Sequence, residues 1–317
     1  MRVIRVVLTV AVLGALGLAL ANRWDEVRGQ LDKISPAAIA GAFAYCLLAL
    51  MASMLAWRAL LADLGSPLPI RAAMRVLFLG QLAKYLPGST VWAVVAQTEL
   101  AHDYDVPRKR AASAGIVLNL VTLGVGLLVA LLALPRLLSA DAPRWLHWSP
   151  LLVPVGLACL SPPVLTAVCN LLFRVLRRPP LEVRFSWSGI GVAVLALLGT
   201  WLAYGLQITL LGWSLGADPA TLLLPATGAF AAAWCAGFLA FVVPTGAGTR
   251  EAVLAVTLAA QLPAGAAAAL TIAVVSRLLL TVADVTAALV GVALGRGGTR
   301  RLPEPADDLD QPTGSSR

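Results

Sequence analysis

The stretch GQLAKYLP at residues 80–87 recurs as GFLAFVVP at residues 237–244, with Gly, Leu, Ala and Pro at the same offsets. A second proline, Pro107 or Pro263, stands about 20 residues after each copy, before a long apolar run. A Pro or Gly break in an apolar segment frees backbone N–H and C=O groups, which membrane proteins tolerate only beside protein or a polar cavity. The copies therefore predict an internal repeat of broken helices that meet at a cavity. Chance is the alternative, because the matching residue types are common in this chain.

The composition of the chain is that of a membrane protein. Hydrophobic residues make up 59% of its 317 residues and charged residues 13%, with a mean hydropathy of +0.85. An ordinary globular domain carries about a quarter charged residues, and apolar runs of about 20 residues are long enough to cross the bilayer as helices. We predict an all-α polytopic integral membrane helical bundle, with about six full spans plus two re-entrant or broken elements arranged as an inverted repeat.

The apolar runs and the loops between them set the predicted boundaries. The N-terminal run up to Ala21 is predicted to be a retained first helix, with a cleaved signal peptide as the alternative. The other predicted spans cover residues 36–61, 111–134, 149–173, 189–213 and 264–294. We expect one transmembrane domain, residues 1–301, with repeat halves at 36–134 and 189–294. Residues 302–317, which lack apolar residues to bury, are expected to form a disordered cytoplasmic tail.

The distribution of basic residues predicts the orientation of the spans. The net charge of +8 comes from short Arg and Lys clusters between apolar runs, which the positive-inside rule places in the cytoplasm and which do not form a nucleic-acid-binding face. The first broken element lies between Arg71 and Arg110, so both its ends are predicted to be cytoplasmic. The second, bounded by Asp218 and Leu262, should begin and end outside. We expect a multi-pass protein of the plasma membrane with both termini in the cytoplasm.

Five ionisable residues fall in or beside apolar segments: Lys84, Arg250, Glu251, Arg277 and Asp284. An unpaired ionised side chain at such depth costs at least a few kcal/mol, so each needs a partner or a function. Arg277 and Asp284 are spaced to share one face of the last helix. Arg250 and Glu251 follow a glycine-rich break at a predicted helix start, where amide dipoles and a guanidinium would favour a phosphate. The alternative is an interfacial Arg250 and Glu251 and a purely structural pair of Arg277 with Asp284.

Soluble enzyme chemistry has little support in the sequence. His102 and His147 have no matching Ser or Cys motif, and no zinc-protease, nucleophile-elbow or phosphate-loop motif occurs. Asp103 and Asp105 form a D-x-D in a short predicted loop with no nucleotide-binding domain attached, so we interpret them as solvated. The four cysteines lie in apolar runs without a metal-type spacing. We predict no catalytic residue, no metal and no cofactor.

Two segments, GQLAKYLPGSTVW at residues 80–92 and PTGAGTRE at residues 244–251, resemble the lysylphosphatidylglycerol synthase transmembrane-region family, whose members are also called flippase-like membrane proteins. The resemblance covers nearly the whole chain, and P-x-G-x-G-x-R-E is its most specific part. It implies a lipid-translocating module: in two-part members a soluble domain aminoacylates phosphatidylglycerol and the membrane region moves the product across. Because the chain ends shortly after its last predicted span, we expect the aminoacyl-transfer half to be missing.

The breaks, the membrane-embedded charges and the resemblance together predict a set of lipid-headgroup or cavity residues. They are Lys84, Tyr85, Pro87, Gly88, Asn119, Pro244, Thr245, Gly246, Gly248, Arg250, Glu251, Arg277 and Asp284. One position departs from the family pattern, because many relatives carry Glu-Arg where this chain has Asn119-Leu120. If that pair contacts the headgroup, substrate choice here differs.

These features predict a non-enzymatic translocator or carrier of a polar-headed lipid, such as an aminoacyl-phospholipid or a polyprenyl-linked or other glycolipid. Membrane lipids are then its expected partners. One alternative is an accessory membrane subunit of an envelope lipid or glycan biosynthetic enzyme, which would be its partner. Another is a polytopic glycosyltransferase.

Overall fold

The structure is a computed structural model that describes residues 24–85, 89–138, 143–175, 177, 184–240 and 248–295. These residues form 11 α-helices and no strand, so the predicted all-α fold is confirmed for the described ranges. The predicted N-terminal span and the tail at residues 302–317 lie outside them.

The helices are numbered in chain order. They are α1 (Trp24–Leu31), α2 (Pro36–Asp63), α3 (Ile70–Gln81), α4 (Ser89–His102), α5 (Arg108–Leu137), α6 (Val153–Cys159), α7 (Pro162–Val175), α8 (Trp187–Ser214), α9 (Pro219–Leu239), α10 (Thr249–Ala259) and α11 (Gly265–Gly295). Two 3₁₀ segments, Leu82–Tyr85 and Arg144–Leu152, follow α3 and precede α6.

Five of these helices are long and apolar enough to cross a membrane: α2, α5, α8, α9 and α11. Four of them match predicted spans. The fifth, α9, falls in the predicted second broken element, so that element contains one limb of full spanning length. The exposed side chains on these helices are largely apolar; Leu195 on α8, for example, is 70% exposed. Apolar residues facing outward as well as inward are what lipid requires of a spanning helix.

The span predicted at residues 149–173 is not one straight helix. Its helices, Leu146–Cys159 and Pro162–Val175, meet at a bend of 65°. Pro162 and Pro163 follow the bend directly, and proline supplies no N–H for the preceding turn and clashes with it. The apolar run is long enough for a crossing, but hydropathy alone does not register the break that the two prolines impose.

Side-chain caps explain where the long helices begin. Ser35 accepts a hydrogen bond from the Ala38 N–H at 3.2 Å, and Ser186 accepts one from the Gly189 N–H at 2.9 Å. At the end of α2, the Asp63 carboxylate accepts the Ser186 N–H at 2.8 Å. A carboxylate is favourable at a helix N-terminus, so this contact ties the end of α2 to the start of α8.

The first broken element, α3 and α4, is a helical hairpin that starts and finishes at one end of the bundle. Arg75 on α3 donates to the Tyr104 hydroxyl at 3.4 Å, just beyond α4. Arg110, after the hairpin, donates to the carbonyl of Gly65, before it, at 3.0 Å. Both limbs therefore open to the same end, called here the basic end because Arg71, Arg75 and Arg110 lie there.

The second broken element, α9 and α10, opens to the opposite end. Leu222 near its start and Leu262 just after it both pack beside Gly212, in the last turn of α8. Gln261 donates its side-chain N–H to the carbonyl of Arg136, near the end of α5, at 3.0 Å. The element thus returns to the end where it began, as predicted, although α9 at 21 residues is long enough to cross.

The two halves are arranged as an inverted repeat. α2 and α8 have 28 residues each and pack antiparallel. Thr200 donates its hydroxyl to the carbonyl of Ala49 at 3.3 Å, and the two residues hold the same position within their helices. Around this contact, the first limb of each hairpin packs on the last helix of the other half, α3 on α11 and α9 on α5. Ala49 and Thr200 therefore lie near a pseudo-two-fold axis between the halves.

Candidate headgroup site

A cavity of about 170 Å³ lies where the inner ends of the two hairpins approach each other. The first hairpin contributes Lys84 and Tyr85, and the second contributes Ala240 and Arg250. Side chains of α2, α5, α8 and α11 complete its wall. The volume is below the roughly 300 Å³ at which drug-sized pockets begin, so the cavity suits a compact polar group and not a whole lipid.

Lys84 and Tyr85 join the first hairpin to α11. The Lys84 ammonium lies 2.6 Å from an Asp284 carboxylate oxygen, and the Tyr85 hydroxyl donates to the same oxygen at 2.7 Å. Asp284 is only 7% exposed, whereas Lys84 is 28% exposed. A buried carboxylate held by a cation and a hydroxyl donor is compensated for its lost hydration, so this cluster is internally neutral.

Glu251 performs two functions at the start of α10. One of its carboxylate oxygens accepts the N–H of Gly248, the residue that caps α10, and the other lies 3.5 Å from the Arg277 Nε. Gly248 has φ +83°, a left-handed conformation that side-chain-bearing residues rarely adopt. Arg277 and Asp284, which the sequence places on one face of α11, thus pair with different elements. The alternative of a structural pair between them is not what the structure shows.

Arg250 points into the cavity from the first turn of α10. Its guanidinium carbon lies 4.7 Å above the centre of the buried Phe230 ring, a cation–π contact. Among the described residues, no carboxylate lies within 4.0 Å of Arg250. The two nearby carboxylates pair with other cations: Glu251 with Arg277, and Asp284 with Lys84. Arg250 is therefore a half-buried cation that forms no ion pair with a described carboxylate.

Two amide side chains line the same cavity. Asn119 donates to the carbonyl of Gly115 one turn earlier on α5, at 2.8 Å. Gln97 on α4 is 4% exposed and fits between Gly80 and Gly115. A Cβ on Gly80 would lie 2.6 Å from Gln97 Cγ, and one on Gly115 would lie 3.3 Å from Gln97 Oε1. The two glycines therefore make room for a polar side chain at the cavity wall.

Aromatic rings from α8 and α9 form part of the cavity wall. Trp201 meets Trp234 edge to face, with centroids 5.5 Å apart, and Trp234 stacks on Phe238 at 5.1 Å. Tyr204 packs against Phe230 at 4.6 Å. Such contacts hold rings rigidly and leave the indole N–H and phenol O–H as directional donors.

The structure brings most of the predicted residues together. Six line the cavity: Lys84, Tyr85, Asn119, Arg250, Arg277 and Asp284. Gly248 and Glu251 lie directly behind it, at the cap of α10. The remaining five, Pro87, Gly88, Pro244, Thr245 and Gly246, lie outside the described residues.

Sequence reasoning missed Gln97 and the aromatic wall. Gln97 could have been found, because it is a polar residue in an apolar stretch of the first broken element. The spacing of Phe230, Trp234 and Phe238 at every fourth position indicates one helix face, but tryptophan and phenylalanine in membrane helices also face lipid. The position of Trp234 and Phe238 at the cavity follows only from the packing of α9.

The model of the family described as "Lysylphosphatidylglycerol synthase TM region" matches residues 2–288. The chain belongs to this family. Its predicted membership is thereby confirmed, and the lysylphosphatidylglycerol synthase TM region accounts for nearly the whole membrane bundle. Membership makes the chain a membrane protein of lipid-related function. No curated protein matches the chain.

Proposed function

We propose that this protein moves a lipid with an anionic, polar headgroup across the plasma membrane, without catalysing a covalent reaction. The observation that carries the proposal is Arg250, a half-buried guanidinium that faces a cavity between two inverted hairpins and has no described carboxylate partner. In this proposal both termini lie in the cytoplasm, and the basic end of the bundle faces the cytoplasm as well.

The charges around the cavity favour an anion. Lys84 is balanced by Asp284 and Arg277 by Glu251, which leaves Arg250 as the surplus charge. A charged side chain at membrane depth costs roughly 2.5 to 3.5 kcal/mol on insertion scales, so a protein retains it where a ligand or function offsets that cost. A phosphodiester would provide the missing negative charge and could accept two parallel guanidinium hydrogen bonds.

The backbone around Arg250 adds to this preference. Arg250 lies in the first turn of an 11-residue helix, where unsatisfied N–H groups and the helix dipole attract negative charge. Glu251 already uses its two carboxylate oxygens on the Gly248 N–H and on Arg277. A lipid phosphate at this point would meet both the dipole and the guanidinium.

The fold supports movement from either side of the membrane. The hairpins open to opposite ends of the bundle and meet at the cavity, as paired broken helices do in secondary transporters. Rocking one half against the other about α2 and α8 would expose the cavity to each side in turn. Because the cavity holds only a compact group, the acyl chains would stay in the bilayer while the headgroup crosses.

The test is lipid movement in proteoliposomes that contain acyl-labelled fluorescent phosphatidylglycerol, followed by chemical quenching of the outer leaflet. We expect wild-type protein to move the lipid and Arg250→Ala to slow movement about tenfold or more, since a charge-assisted hydrogen bond contributes about 1.5–3 kcal/mol. Arg250→Lys should restore movement only partly, because lysine keeps the charge and loses the planar fork. Insertion and abundance should stay near wild type.

The matched control is Glu99→Gln, which removes an exposed carboxylate bonded to Arg108 on the surface. This variant should move lipid at the wild-type rate. If Arg250→Ala lowers the amount of folded protein in proportion to activity, and Arg250→Lys restores both fully, Arg250 is a structural cation and the headgroup site is wrong.

A further inference from the structure

We propose that Asn119 is a specificity-determining residue of the cavity, whose side-chain oxygen accepts a hydrogen bond from the group attached to the lipid phosphate. The inference rests on the proposed function, since it concerns the headgroup whose phosphate Arg250 would bind. Three observations carry it: the direction of the Asn119 amide, its access to the cavity, and the different chemistry of the two repeat halves at the cavity wall.

A hydrogen bond fixes the direction of the Asn119 amide. Its Nδ2 donates to the backbone carbonyl of Gly115 at 2.8 Å, one turn earlier on α5. A carbonyl oxygen accepts hydrogen bonds and cannot donate them, so the amide nitrogen must be the atom that faces Gly115. This partner therefore identifies which amide atom is the oxygen, and Oδ1 faces away from the Gly115 carbonyl.

The Asn119 oxygen is open to a ligand. In the ranges that the structure describes, Oδ1 accepts no hydrogen bond from another side chain or from the backbone, and the side chain lines the cavity. Asn119 is half-buried, and Oδ1 keeps accessible surface, unlike the unpartnered but buried Oε1 of Gln97. An amide oxygen has two lone pairs, so a donor in the cavity can bond to it.

The two halves of the repeat present different charges to the cavity. Ala93 follows Gly80 at the same offset at which Arg250 follows Gly237, and both Ala93 and Arg250 line the cavity. The first half thus has a methyl group where the second half has a guanidinium. A lipid phosphate is attracted to the second half, which leaves the first half to contact the group attached to that phosphate.

Uncharged hydrogen-bonding groups line the side of the cavity that the first half forms. Apart from Lys84 and Tyr85, which bind Asp284, the polar residues that this half contributes are neutral: Ser53, Gln81, Gln97, Asn119 and Thr122. Among these, Asn119 combines an open acceptor with a fixed direction, and a side chain already held in place loses less entropy when it binds a ligand. Since the cavity holds only a compact group, a headgroup that fills it contacts this wall as well as Arg250.

The neutral charge of this acceptor bears on which headgroups the cavity takes. An amide oxygen accepts a hydrogen bond from a hydroxyl group and adds no negative charge, whereas a carboxylate at the same position would attract an ammonium. Asparagine and aspartate have nearly the same size and shape, so Asn119→Asp changes mainly the charge of the acceptor. The Gly115 carbonyl loses its side-chain donor in this variant and keeps its helical backbone donor.

Lipid retention by the purified full chain tests the acceptor. The protein is incubated with an equimolar mixture of phosphatidylglycerol and phosphatidylpropanol with identical acyl chains, and the retained lipids are quantified by mass spectrometry. Phosphatidylpropanol keeps the phosphodiester and lacks the headgroup hydroxyls. We expect the wild-type protein to retain about threefold more phosphatidylglycerol than phosphatidylpropanol, as one hydrogen bond of ordinary strength would give. Asn119→Leu should retain the two lipids equally.

A second mixture tests the charge. Phosphatidylglycerol and lysylphosphatidylglycerol are offered together, and the ratio of the retained lipids is compared between the wild-type protein and Asn119→Asp. We expect the variant to raise the ratio of lysylphosphatidylglycerol to phosphatidylglycerol about tenfold, because a hydrogen bond between charged groups is stronger than a neutral one. The matched control is Asn170→Asp, which adds the same carboxylate on α7 at a residue outside the cavity wall and should leave both ratios unchanged.

Equal retention of phosphatidylglycerol and phosphatidylpropanol by the wild-type protein overturns the inference, as does a preference that persists in a folded Asn119→Leu variant. So does an Asn119→Asp variant whose ratio shifts no more than that of Asn170→Asp, and this comparison decides alone if Asn119→Leu does not fold. The proposed function fails separately. Selectivity that depends on Asn119 without lipid movement in proteoliposomes keeps the role of Asn119 and removes translocation, whereas movement without any headgroup preference does the reverse.

Discussion

The Lys84 ammonium and an Asp284 carboxylate oxygen lie 2.6 Å apart, although the two residues belong to opposite halves of the repeat. This contact fixes the inner end of the first hairpin to α11, at the wall of the cavity. It is one of two ion pairs described there, and its partners differ in exposure, at 28% for Lys84 and 7% for Asp284.

Breaking this pair from the buried side should be the more damaging change. Asp284→Asn keeps one oxygen that can accept a hydrogen bond but removes the negative charge that balances Lys84, and we expect a loss of up to about 3 kcal/mol, at the lower end for buried pairs because Lys84 is partly hydrated. Thermal unfolding in detergent measures the loss. The double variant Lys84→Met with Asp284→Asn should lose less than the sum of the single variants; strict additivity would show that the two side chains do not interact.

The two roles of Glu251 can be separated by substitution. Glu251→Gln keeps an oxygen for the Gly248 N–H and removes the charge that faces Arg277, whereas Glu251→Ala removes both. We expect Glu251→Ala to be less stable than Glu251→Gln by about 1 kcal/mol, a typical value for a helix cap. Denaturation midpoints provide the comparison. Equal midpoints would mean that the cap contributes nothing and that only the charge matters.

Gly80 should not tolerate a side chain. A Cβ there would lie 2.6 Å from Gln97 Cγ and 3.0 Å from the Gln97 backbone nitrogen, so Gly80→Ala should destabilise by about 1–3 kcal/mol. Adding Gln97→Ala should recover part of the loss, since the backbone contact remains. Gly199→Ala is the control, because nothing lies within 4 Å of its Cβ position. If both glycines respond alike, the close packing of α3 on α4 is wrong.

The inverted topology makes a prediction about sidedness. Single cysteines at the exposed residues Arg71 and Asp103 should react with impermeant reagents only from the cytoplasm, and cysteines at Ala220 and Ala264 only from outside. The exposed native Cys159 should first be replaced by serine, whereas the other three cysteines are buried. Labelling of Ala220 and Ala264 from opposite sides would make the second element a net crossing and remove the inverted repeat.

The sequence by itself determined which segments are long and apolar enough to span the membrane. Hydropathy acts residue by residue, because the cost of a side chain in lipid depends mainly on that side chain, so the long helices fell close to their predicted bounds. The Arg clusters are also local, and they placed both ends of each broken element at one end of the bundle. The same reasoning identified the membrane-embedded charges as a group that must be compensated.

Only the tertiary structure decided how those charges are compensated. Arg277 and Asp284 share a helix face, but a buried charge pairs with whichever opposite charge packing brings within reach, and that was Glu251 for one and Lys84 for the other. This division leaves Arg250 without a described carboxylate. Tertiary packing also turned Trp201 and Trp234 toward the cavity, since an aromatic residue in an apolar helix can face lipid or protein at similar cost, and only its neighbours distinguish the two.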